Sequence, residues 1–298
     1  MIDDFWQMQM RQWPMAAAGN AALGRMRTRR LAFDGFEVRL QFNPARIRST
    51  AADVRAQAIA SRPCFLCAAH RPAEQLALAL DGSGRFEILV NPYPIFDRHL
   101  TIAATAHTPQ LLAPYLPDML AAARALGSHT VFFNGAGCGA SAPDHVHFQA
   151  VPRGLLPLPS EYAALAAAGL VDTIDAHADA VLTSTARLGR LACRIEGRSA
   201  DSIGLLLRRL FAMLGSPGAE PPINALCECD DGLCRLIVVP RRAMRPRRYG
   251  DGPGRLMVSP ASVEVGGVFV VPIESHFERI TPADVLEIFA DCCYTSWP

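Results

Sequence analysis

Two histidines and a glutamine alternate within one short segment of the chain, His145-Val146-His147-Phe148-Gln149. Residues two apart on a strand share a face, so a strand here turns His145, His147 and Gln149 the same way. An imidazole is a suitable nucleophile toward a phosphoryl centre near neutral pH, because it is partly unprotonated there. Gln149 is able to donate a hydrogen bond to a phosphate oxygen without adding charge. The spacing therefore predicts phosphoryl or nucleotidyl chemistry.

A loop of small residues, Asn134 to Pro143, comes directly before this segment. Its backbone N–H groups are able to approach a phosphate closely, since few side chains stand in the way. An isolated H-x-H pattern is more often two histidines on the polar face of a sheet. The loop and Gln149 favour the chemical interpretation, because each supplies something that phosphate chemistry requires.

Cys64 and Cys67 form a C-x-x-C, a spacing that lets two thiolates reach one Zn²⁺ from a tight turn. The same pair is also compatible with two buried thiols. A redox motif is disfavoured, since no thioredoxin-like βαβ pattern follows. A second group, Cys227, Cys229 and Cys234, falls on a predicted hairpin without a histidine nearby, and we interpret these cysteines as small hydrophobic residues of strands.

Patterns of hydrophobicity and turn residues indicate which elements position these side chains. The order of two strands, a helix and two strands through His147 predicts an antiparallel sheet with a helix on it, hence an α+β fold. Hairpins are expected around Asp34-Gly35 and Asp231-Gly232. Strands are expected at Phe86 to Val90, His99 to Ala103, Thr130 to Phe133, His145 to Val151, Leu191 to Glu196 and Val263 to Val271, and helices at Ala51 to Ala60, Pro109 to Leu126, Glu161 to Thr185, Asp201 to Leu214 and Pro282 to Cys292.

The stretch Ser216 to Pro222 is rich in proline and glycine and is the best candidate for a linker. We therefore expect a catalytic N-terminal domain with a helical extension at residues 1–215, and a second domain at 223–298. The tail repeats the strand pair and helix of the first half but carries no histidine pair, so one active site per chain is expected.

Composition excludes several classes of protein. Hydrophobic residues make up 50% of the 298 residues, and the net charge is only +1, which argues against a dedicated nucleic-acid binder. No apolar run approaches the roughly 20 residues that cross a bilayer. The sequence has no lysine, which excludes a P-loop. A cytoplasmic protein with reduced cysteines is the expectation.

Two further features leave alternatives open. Five arginines follow Pro240 and either bind substrate phosphates or form a solvated loop: Arg241, Arg242, Arg245, Arg247 and Arg248. His99 begins a predicted strand and either approaches a nucleotide or is structural.

The motifs resemble those of a known family. Gly139-Ala140-Ser141 followed by His145-Val146-His147-Phe148-Gln149 is similar to the G-x-S…H-x-H-x-Q signature of the galactose-1-phosphate uridylyltransferase branch of the histidine-triad superfamily. Upstream, three segments follow that family's order of turn, strand and histidine-led helix: Asn91-Pro92-Tyr93-Pro94, His99-Leu100-Thr101-Ile102 and His107-Thr108-Pro109-Gln110. The resemblance implies a histidine-triad-like fold with two similar halves, of which the C-terminal one is degenerate.

The resemblance also implies site residues. His147 is the nucleophile that becomes nucleotidylated, and Gln149 stands where true histidine-triad hydrolases have a third histidine. Asn134, Gly139, Ser141 and Gln149 contact the nucleotide and its phosphates. His107 and His145 join Cys64 and Cys67 to complete a structural Zn²⁺ site.

The implied function is that of a nucleotidyltransferase with a covalent nucleotidyl-histidine intermediate. A phosphorylase of nucleoside-diphosphate sugars or dinucleotides is favoured, and transfer to a hexose 1-phosphate is the alternative. Hydrolysis is disfavoured by Gln149, and a non-catalytic, zinc-stabilised nucleotide-binding protein is a further alternative. The expected partners are the nucleotide substrate, a phosphate or sugar-phosphate acceptor and, as in many members of the group, a second copy in a homodimer.

Overall fold

The computed structural model describes residues 2–47 and 56–298, which form a large sheet, a small sheet and the helices packed against them. The strands are β1 (Arg27–Phe33), β2 (Phe36–Phe42), β3 (Ala77–Ala79), β4 (Phe86–Val90), β5 (Leu100–Ala104), β6 (His129–Asn134), β7 (His147–Pro152), β8 (Asp172–His177), β9 (Ala180–Thr185), β10 (Ala192–Gly197), β11 (Ile223–Asp230), β12 (Leu233–Pro240) and β13 (Val268–Val271). The helices are α1 (Ile2–Gln12), α2 (Pro14–Ala22), α3 (Ala56–Ala60), α4 (Leu116–Ala125), α5 (Leu158–Ala167), α6 (Ala200–Met213), α7 (Ser262–Val265), α8 (Glu274–Arg279) and α9 (Pro282–Cys292).

The large sheet has the order β3-β4-β5-β7-β6-β11-β12-β10-β9-β8, and every neighbouring pair in it is antiparallel. It contains two groups of five strands, β3 to β7 and β8 to β12, with the same order from the outer edge to the middle. In both groups a helix, α4 or α6, connects the third strand to the fourth. The predicted α+β class is confirmed.

The two groups join in the middle of the sheet, where β11 pairs with β6 and Asn224 lies opposite Asn134. The predicted linker, residues 216–222, leads from α6 into β11 and therefore lies inside the second group. The sheet thus continues across the boundary expected between residues 215 and 223. The division of the chain into two domains stays a prediction.

The alternation of side chains along the central strands separates two layers of core. Val131 and Phe133 of β6 face a core formed with α1, α4 and α6, as does Phe148 of β7. Phe132 and Val151 face the opposite side, toward the small sheet and α9. His147 and Gln149 alternate with Phe148, so they lie on this second side of the large sheet.

The small sheet covers part of that second side. It has the order β1-β2-β13, and β1 and β2 form the predicted hairpin, whose turn uses Gly35 with φ +80°. Strand β13 pairs with β2 in parallel, which brings the end of the chain back over the large sheet. Residues from the N-terminal and C-terminal parts of the sequence therefore cover the face of the large sheet that carries His147.

The predicted helix from Glu161 to Thr185 is wrong in its second part, because α5 ends at Ala167 and strands β8 and β9 follow. Gly169 has φ +70°, a conformation that stops a helix, and Ala178 makes the turn between the strands with φ +50°. The run of alanines favours a helix locally, but pairing of β9 with β10 decides the outcome.

Three other elements begin at different residues than expected. Helix α4 starts at Leu116 rather than Pro109, after a 3-10 turn at Ala113–Tyr115. Strand β7 starts at His147, and His145 lies in the bend before it. The predicted strand Val263 to Val271 is a short helix, α7, then a turn at Gly266 and Gly267, then β13. Of the predicted helix Ala51 to Ala60, residues 51–55 lie outside the described residues, and the remainder forms α3.

Cys229 and Cys234 form a disulfide, contrary to the expectation that all nine cysteines are reduced. The two residues lie directly opposite each other in the β11–β12 hairpin, with their Cα atoms 4.1 Å apart. The register that the Asp231-Gly232 turn imposes brings the two thiols together. Among the described residues, no helix is long and apolar enough to cross a membrane.

Candidate active site

A cavity of about 600 Å³ lies on the face of the large sheet that carries His147. Its floor comes from four neighbouring strands of the first group, and its walls come from the small-residue loop and from both ends of the chain. The floor residues are Leu89, Thr101, Phe132, Asn134, His147 and Gln149. Asn134, Gly139, Ser141, His147 and Gln149 were all predicted to bind or attack the nucleotide, and the structure brings the five together around this cavity.

His147 is 4% exposed and lies with its ring held in one orientation. Its Nδ1 atom is 2.8 Å from the carbonyl oxygen of His145, so Nδ1 carries the proton and donates it in a hydrogen bond. Nε2 then holds the unshared electron pair. Burial lowers the pKa of His147 to about 4, and the hydrogen bond to His145 opposes this shift only in part. The residue is thus a neutral imidazole with Nε2 left for the cavity.

Gln110 binds the backbone of His147 through both its N–H and its C=O group. Its Oε1 atom accepts a hydrogen bond from the N–H of His147 at 2.8 Å. Its Nε2 atom donates to the carbonyl oxygens of His147, at 3.0 Å, and Asn134, at 2.8 Å. The sequence places Gln110 in a segment that resembles the family, but no local pattern signals this role, since its partners are 24 and 37 residues away.

His99 orients the side chain of Gln149. The N–H of Ile95 donates to Nδ1 of His99, so its Nε2 carries a proton, which it donates to Oε1 of Gln149 at 2.8 Å. The Nε2 amide group of Gln149 is therefore the end left for the cavity. Burial lowers the pKa of His99 to about 3, and the charge of Arg46 acts in the same direction. Of the two roles open for His99, the structural one is observed.

Asn134 is oriented in the same manner. Its Oδ1 atom accepts hydrogen bonds from Nδ2 of Asn224, at 3.0 Å, and from the N–H of Ser262, at 2.7 Å. The Nδ2 amide is left as a donor. Asn224 is in turn bound by the buried Arg241, whose guanidinium also donates to four carbonyl oxygens of the final segment. The second group of strands thus fixes a side chain of the first.

The loop after β6 presents main-chain donors. Gly139, Ala140 and Ser141 line the cavity, and within the described part of the chain no acceptor bonds their N–H groups. Gly139 has φ +95°, and a Cβ added there would lie 2.5 Å from Cβ of Ala261. The position therefore requires glycine. These three N–H groups, which have no acceptor among residues 2–47 and 56–298, and the two oriented amides make this wall suited to an anion.

Cys64, Cys67, His107 and His145 form a cluster that is able to hold one metal ion, since their ligand atoms all lie within 4.8 Å of one another. Nδ1 of His145 is 3.3 Å from Sγ of Cys64 and 3.5 Å from Sγ of Cys67. Nδ1 of His107 is 3.3 Å from Sγ of Cys67. The four residues predicted as ligands are thus brought to one place.

The other nitrogen of each ring is already bonded. Nε2 of His145 donates to the carbonyl oxygen of Ala104 at 2.8 Å, and Nε2 of His107 is 3.3 Å from a carboxylate oxygen of Asp144. This arrangement leaves both Nδ1 atoms free to bind a metal. Because the carbonyl oxygen of His145 also accepts the hydrogen bond from Nδ1 of His147, the four-residue cluster is connected to His147 through His145.

Four charged side chains also line the cavity, and the sequence analysis considered only the third of them: Arg46, Arg62, Arg245 and Glu264. Arg245 belongs to the arginine run after Pro240, whereas Arg247 and Arg248 of that run pair with carboxylates of α9. Glu264 is buried, and its carboxylate accepts hydrogen bonds from the N–H groups of Ala261 and Val270. Burial raises the pKa of Glu264 to about 7. No spacing in the sequence joins these residues, because four separate segments carry them.

Comparisons with known proteins bear on the fold of the chain. A family model described as a domain of unknown function, DUF4922, matches residues 5–152. Yeast Ap4A phosphorylase Apa2 is similar in structure, with 17% identity, a TM-score of 0.60 and 94% of each chain covered. The chain has the histidine-triad-like fold of this phosphorylase.

Two ligand complexes of the same yeast enzyme are also similar. The complex with AMP has 18% identity and a TM-score of 0.58, and covers 95% of this chain and 97% of that one. The complex with Ap4A has 16% identity and a TM-score of 0.56, and covers 97% of both chains. No curated protein matches the sequence significantly. The histidine-triad-like fold expected from the motifs is confirmed.

Proposed function

We propose that the protein is a nucleotidyltransferase in which His147 carries the nucleotidyl group. The observation that supports this most directly is the state of His147 at the cavity. Its Nδ1 proton is held by the carbonyl oxygen of His145, which leaves the Nε2 electron pair for the substrate. A neutral imidazole in this tautomer is a nucleophile that needs no base to activate it.

In the first half-reaction, Nε2 of His147 attacks the α-phosphorus of a nucleoside phosphate anhydride. The N–P bond forms as the P–O anhydride bond breaks, and the electron pair of that bond leaves with the departing phosphate. Nδ1 keeps its proton, and its hydrogen bond to His145 stabilises the positive charge on the ring. In the second half-reaction an acceptor oxygen attacks the same phosphorus, and the N–P bond breaks to return His147.

The surroundings of His147 supply charge stabilisation rather than further covalent chemistry. The free N–H groups of Gly139, Ala140 and Ser141 and the oriented amides of Asn134 and Gln149 are donors for the phosphate oxygens. Donors that are fixed in advance stabilise the charge that develops in the transition state. The buried hydrogen bonds of Gln110 and His99 hold these groups in place.

The acceptor that we favour is inorganic phosphate, which makes the enzyme a phosphorylase. The fold is that of an Ap4A phosphorylase, and one of its structures holds Ap4A, a dinucleotide. Gln149 is a neutral donor and has no proton to relay to or from a water, which disfavours hydrolysis. A dinucleotide or a nucleoside-diphosphate sugar is the proposed donor, and transfer to a sugar phosphate is the second candidate.

We propose Zn²⁺ as the ion of the cluster formed by Cys64, Cys67, His107 and His145. A tetrahedral zinc with sulfur and imidazole ligands separates an S from an N ligand by about 3.6 Å, given its usual bond lengths. The observed S–N distances of 3.3–3.5 Å fit this value. Four protein ligands close the site, so a bound zinc has a structural role, holding the segment at Cys64 to the bend at His145.

Labelling with α-³²P nucleotides tests the covalent step. The protein is incubated without acceptor with labelled dinucleotides and nucleotide sugars, and acid-labile label on the chain is measured. We expect label in the parent and none in His147→Ala, whereas His129→Ala, which removes a histidine outside the cavity, keeps it. Discharge of the label by phosphate supports a phosphorylase, and discharge only by a sugar phosphate supports the second candidate.

Two outcomes would oppose the proposal. Discharge by water at the same rate with and without phosphate would indicate a hydrolase. Absence of label with every nucleotide, together with unchanged nucleotide affinity in His147→Asn, would indicate a binding protein without this chemistry.

A further inference from the structure

Arg241 is the buried member of the arginine run that follows Pro240. It is 2% exposed and does not line the cavity, so neither role left open for the run, a phosphate contact or a solvated loop, applies to it. All five N–H donors of its guanidinium are bonded, and each acceptor is an uncharged oxygen. These acceptors are Oδ1 of Asn224 and the carbonyl oxygens of Ala243, Met244, Pro260 and Cys292.

A buried cation whose hydrogen bonds all go to uncharged groups is unusual, because the charge loses its water and gains no opposite charge in return. Four of the five acceptors are main-chain carbonyl oxygens of the segment after Pro240, and they fix the guanidinium in place. The fifth contact, to Asn224 of β11, is the one that leads from this charge toward the cavity.

The guanidinium decides which way the amide of Asn224 faces. A guanidinium has N–H donors and no acceptor, so Asn224 must turn its oxygen to Arg241 and its Nδ2 group away from it. That Nδ2 group donates to Oδ1 of Asn134 at 3.0 Å and to the carbonyl oxygen of Cys138 at 2.9 Å. Because the oxygen of Asn134 is engaged in this way, its own Nδ2 group is left for a phosphate. The direction of both amides therefore follows from one charge.

The same hydrogen bonds are able to carry the effect of the charge. Each of the two amides accepts a bond on the side of Arg241 and has its donors on the side of the cavity, so the bond dipoles point the same way. Hydrogen bonds aligned in this manner polarise one another, most of all in a dry interior such as that around Asn224, which is 0% exposed. The bond to Cys138 also holds the loop directly before Gly139.

We propose that Arg241 is a positioning residue for the reaction at His147. Without touching the substrate, it acts through Asn224 to hold the Asn134 amide as a donor to the phosphate that His147 attacks. The same relay polarises that amide toward the negative charge that develops in the transition state. The inference rests on the proposed nucleotidyl transfer for the identity of that phosphate.

The single-turnover rate of labelling of His147 at saturating nucleotide tests this relay. Arg241→Met keeps a long side chain but removes the charge and the donors. We expect it to slow labelling by about tenfold or more, since a hydrogen bond to a charged group contributes at least that factor. Arg241→Lys, which keeps the charge, should restore part of the rate. If the effect passes through Asn224, then Asn224→Ala and Asn224→Ala/Arg241→Met should react at the same slow rate.

Asn224→Asp separates positioning from stability. Its carboxylate still accepts from Arg241 and supplies the missing opposite charge, but it has no N–H group for Asn134 or Cys138. Asn134 is then expected to turn its Nδ2 group to the new oxygen and its own oxygen to the phosphate. The melting temperature should lie nearer to that of the parent than the melting temperature of Arg241→Met does, while labelling should be at least as slow.

Arg190→Met is the matched control. Arg190 is also fully buried and donates to main-chain carbonyl oxygens, those of Val265 at 2.7 Å and Leu188 at 2.5 Å, but it does not line the cavity. We expect this variant to lose stability as Arg241→Met does and to label at the parent rate. Equal slowing in Arg190→Met, additive losses in the double variant, or a parent-like rate in Asn224→Asp would overturn the proposal.

Binding of nucleoside monophosphates tests the positioning role without covalent chemistry. The affinities of the whole protein for AMP, GMP, CMP and UMP are measured by titration calorimetry, each against the affinity for its nucleoside. The ratio of the two reports the contacts of the phosphate, and we expect Arg241→Met and Asn224→Asp to reduce it by about tenfold.

The two proposals fail separately. A ratio that falls in these variants, without any labelling of His147 in the parent, would leave the positioning role standing and remove the transfer reaction. Labelling of His147 at the parent rate in Arg241→Met, with an unchanged ratio, would do the reverse. Absence of binding by all four nucleotides would overturn both.

Discussion

Replacing His99 by Phe tests whether a buried histidine acts through Gln149. Phe keeps a ring of similar size but removes the proton donated to Oε1 of Gln149 and the acceptor of the Ile95 N–H. Without that donor, the Gln149 amide is free to turn its oxygen toward the phosphate. An unsatisfied or misdirected buried hydrogen bond costs about 1–3 kcal/mol, which corresponds to about a 5- to 150-fold slower nucleotidylation of His147.

The assay is the single-turnover rate of label transfer to the chain at saturating nucleotide. A double-mutant cycle separates positioning from general damage. If His99 acts only through Gln149, then Gln149→Met and His99→Phe/Gln149→Met should react at the same slow rate.

His276→Phe is the matched control for stability. His276 is also buried, and its Nδ1 accepts a main-chain hydrogen bond from Met257 at 2.9 Å, but it does not line the cavity. We expect it to lower the free energy of unfolding by a similar amount while leaving the labelling rate unchanged. Losses that add in the double variant, or an equal slowing in His276→Phe, would refute the role assigned to His99.

Three further predictions concern pH, metal and the loop. Burial lowers the pKa of His99 to about 3, so below about pH 6.5 the unfolded chain binds a proton at this residue that the folded chain does not. Denaturant titrations between about pH 6 and 4 should therefore show that the free energy of unfolding of the parent falls by about 1.4 kcal/mol per pH unit more than that of His99→Phe. Equal slopes for the two proteins would contradict this. Cys67→Ser should reduce zinc, measured by atomic absorption, from about one equivalent to a small fraction after dialysis against chelator, and lower the melting temperature by about 5–10 °C; retention of stoichiometric zinc would exclude this residue as a ligand. Gly139→Ala should abolish labelling and destabilise the fold, because the added Cβ meets Ala261 and the φ of +95° is unfavourable for alanine. Gly137→Ala is the control and should behave as the parent, because a Cβ there meets nothing within 4 Å. Equal effects of the two substitutions would show that the loop is not constrained as described.

The sequence predicted the parts of the site that lie within short range of one another. The alternation of His147 and Gln149, the loop ending at Ser141 and the C-x-x-C at Cys64 are local patterns, and the family resemblance supplied His107 for the cluster. The structure brings all of them to one face of the sheet.

The remaining features depend on contacts between distant segments. Gln110 and His99 position His147 and Gln149 through side-chain hydrogen bonds that no sequence spacing predicts. Glu264 lies at the cavity with its carboxylate bound to Val270 of β13, a strand that pairs with the distant β2. Strands β8 and β9 were missed for the same reason, since alanine-rich segments favour helices until a neighbouring strand is available. Site residues were therefore predicted where they belong to a short local motif, and were missed where contacts between distant strands bring them to the site.

The position of β6 in the middle of the large sheet also determines where the protein is open to strand pairing with other chains. Because β7 and β11 pair with the two sides of β6, that strand presents no free edge, and β5 and β7 likewise lie between two neighbouring strands. The outermost described strands are β3, which has only three residues, and β8, which is interrupted by an irregular register between Thr173 and Asp175. Short or irregular edges are poor templates for adding another strand. The large sheet is thus protected from edge-to-edge aggregation at both described ends, and the strand that carries Asn134 lies near its middle.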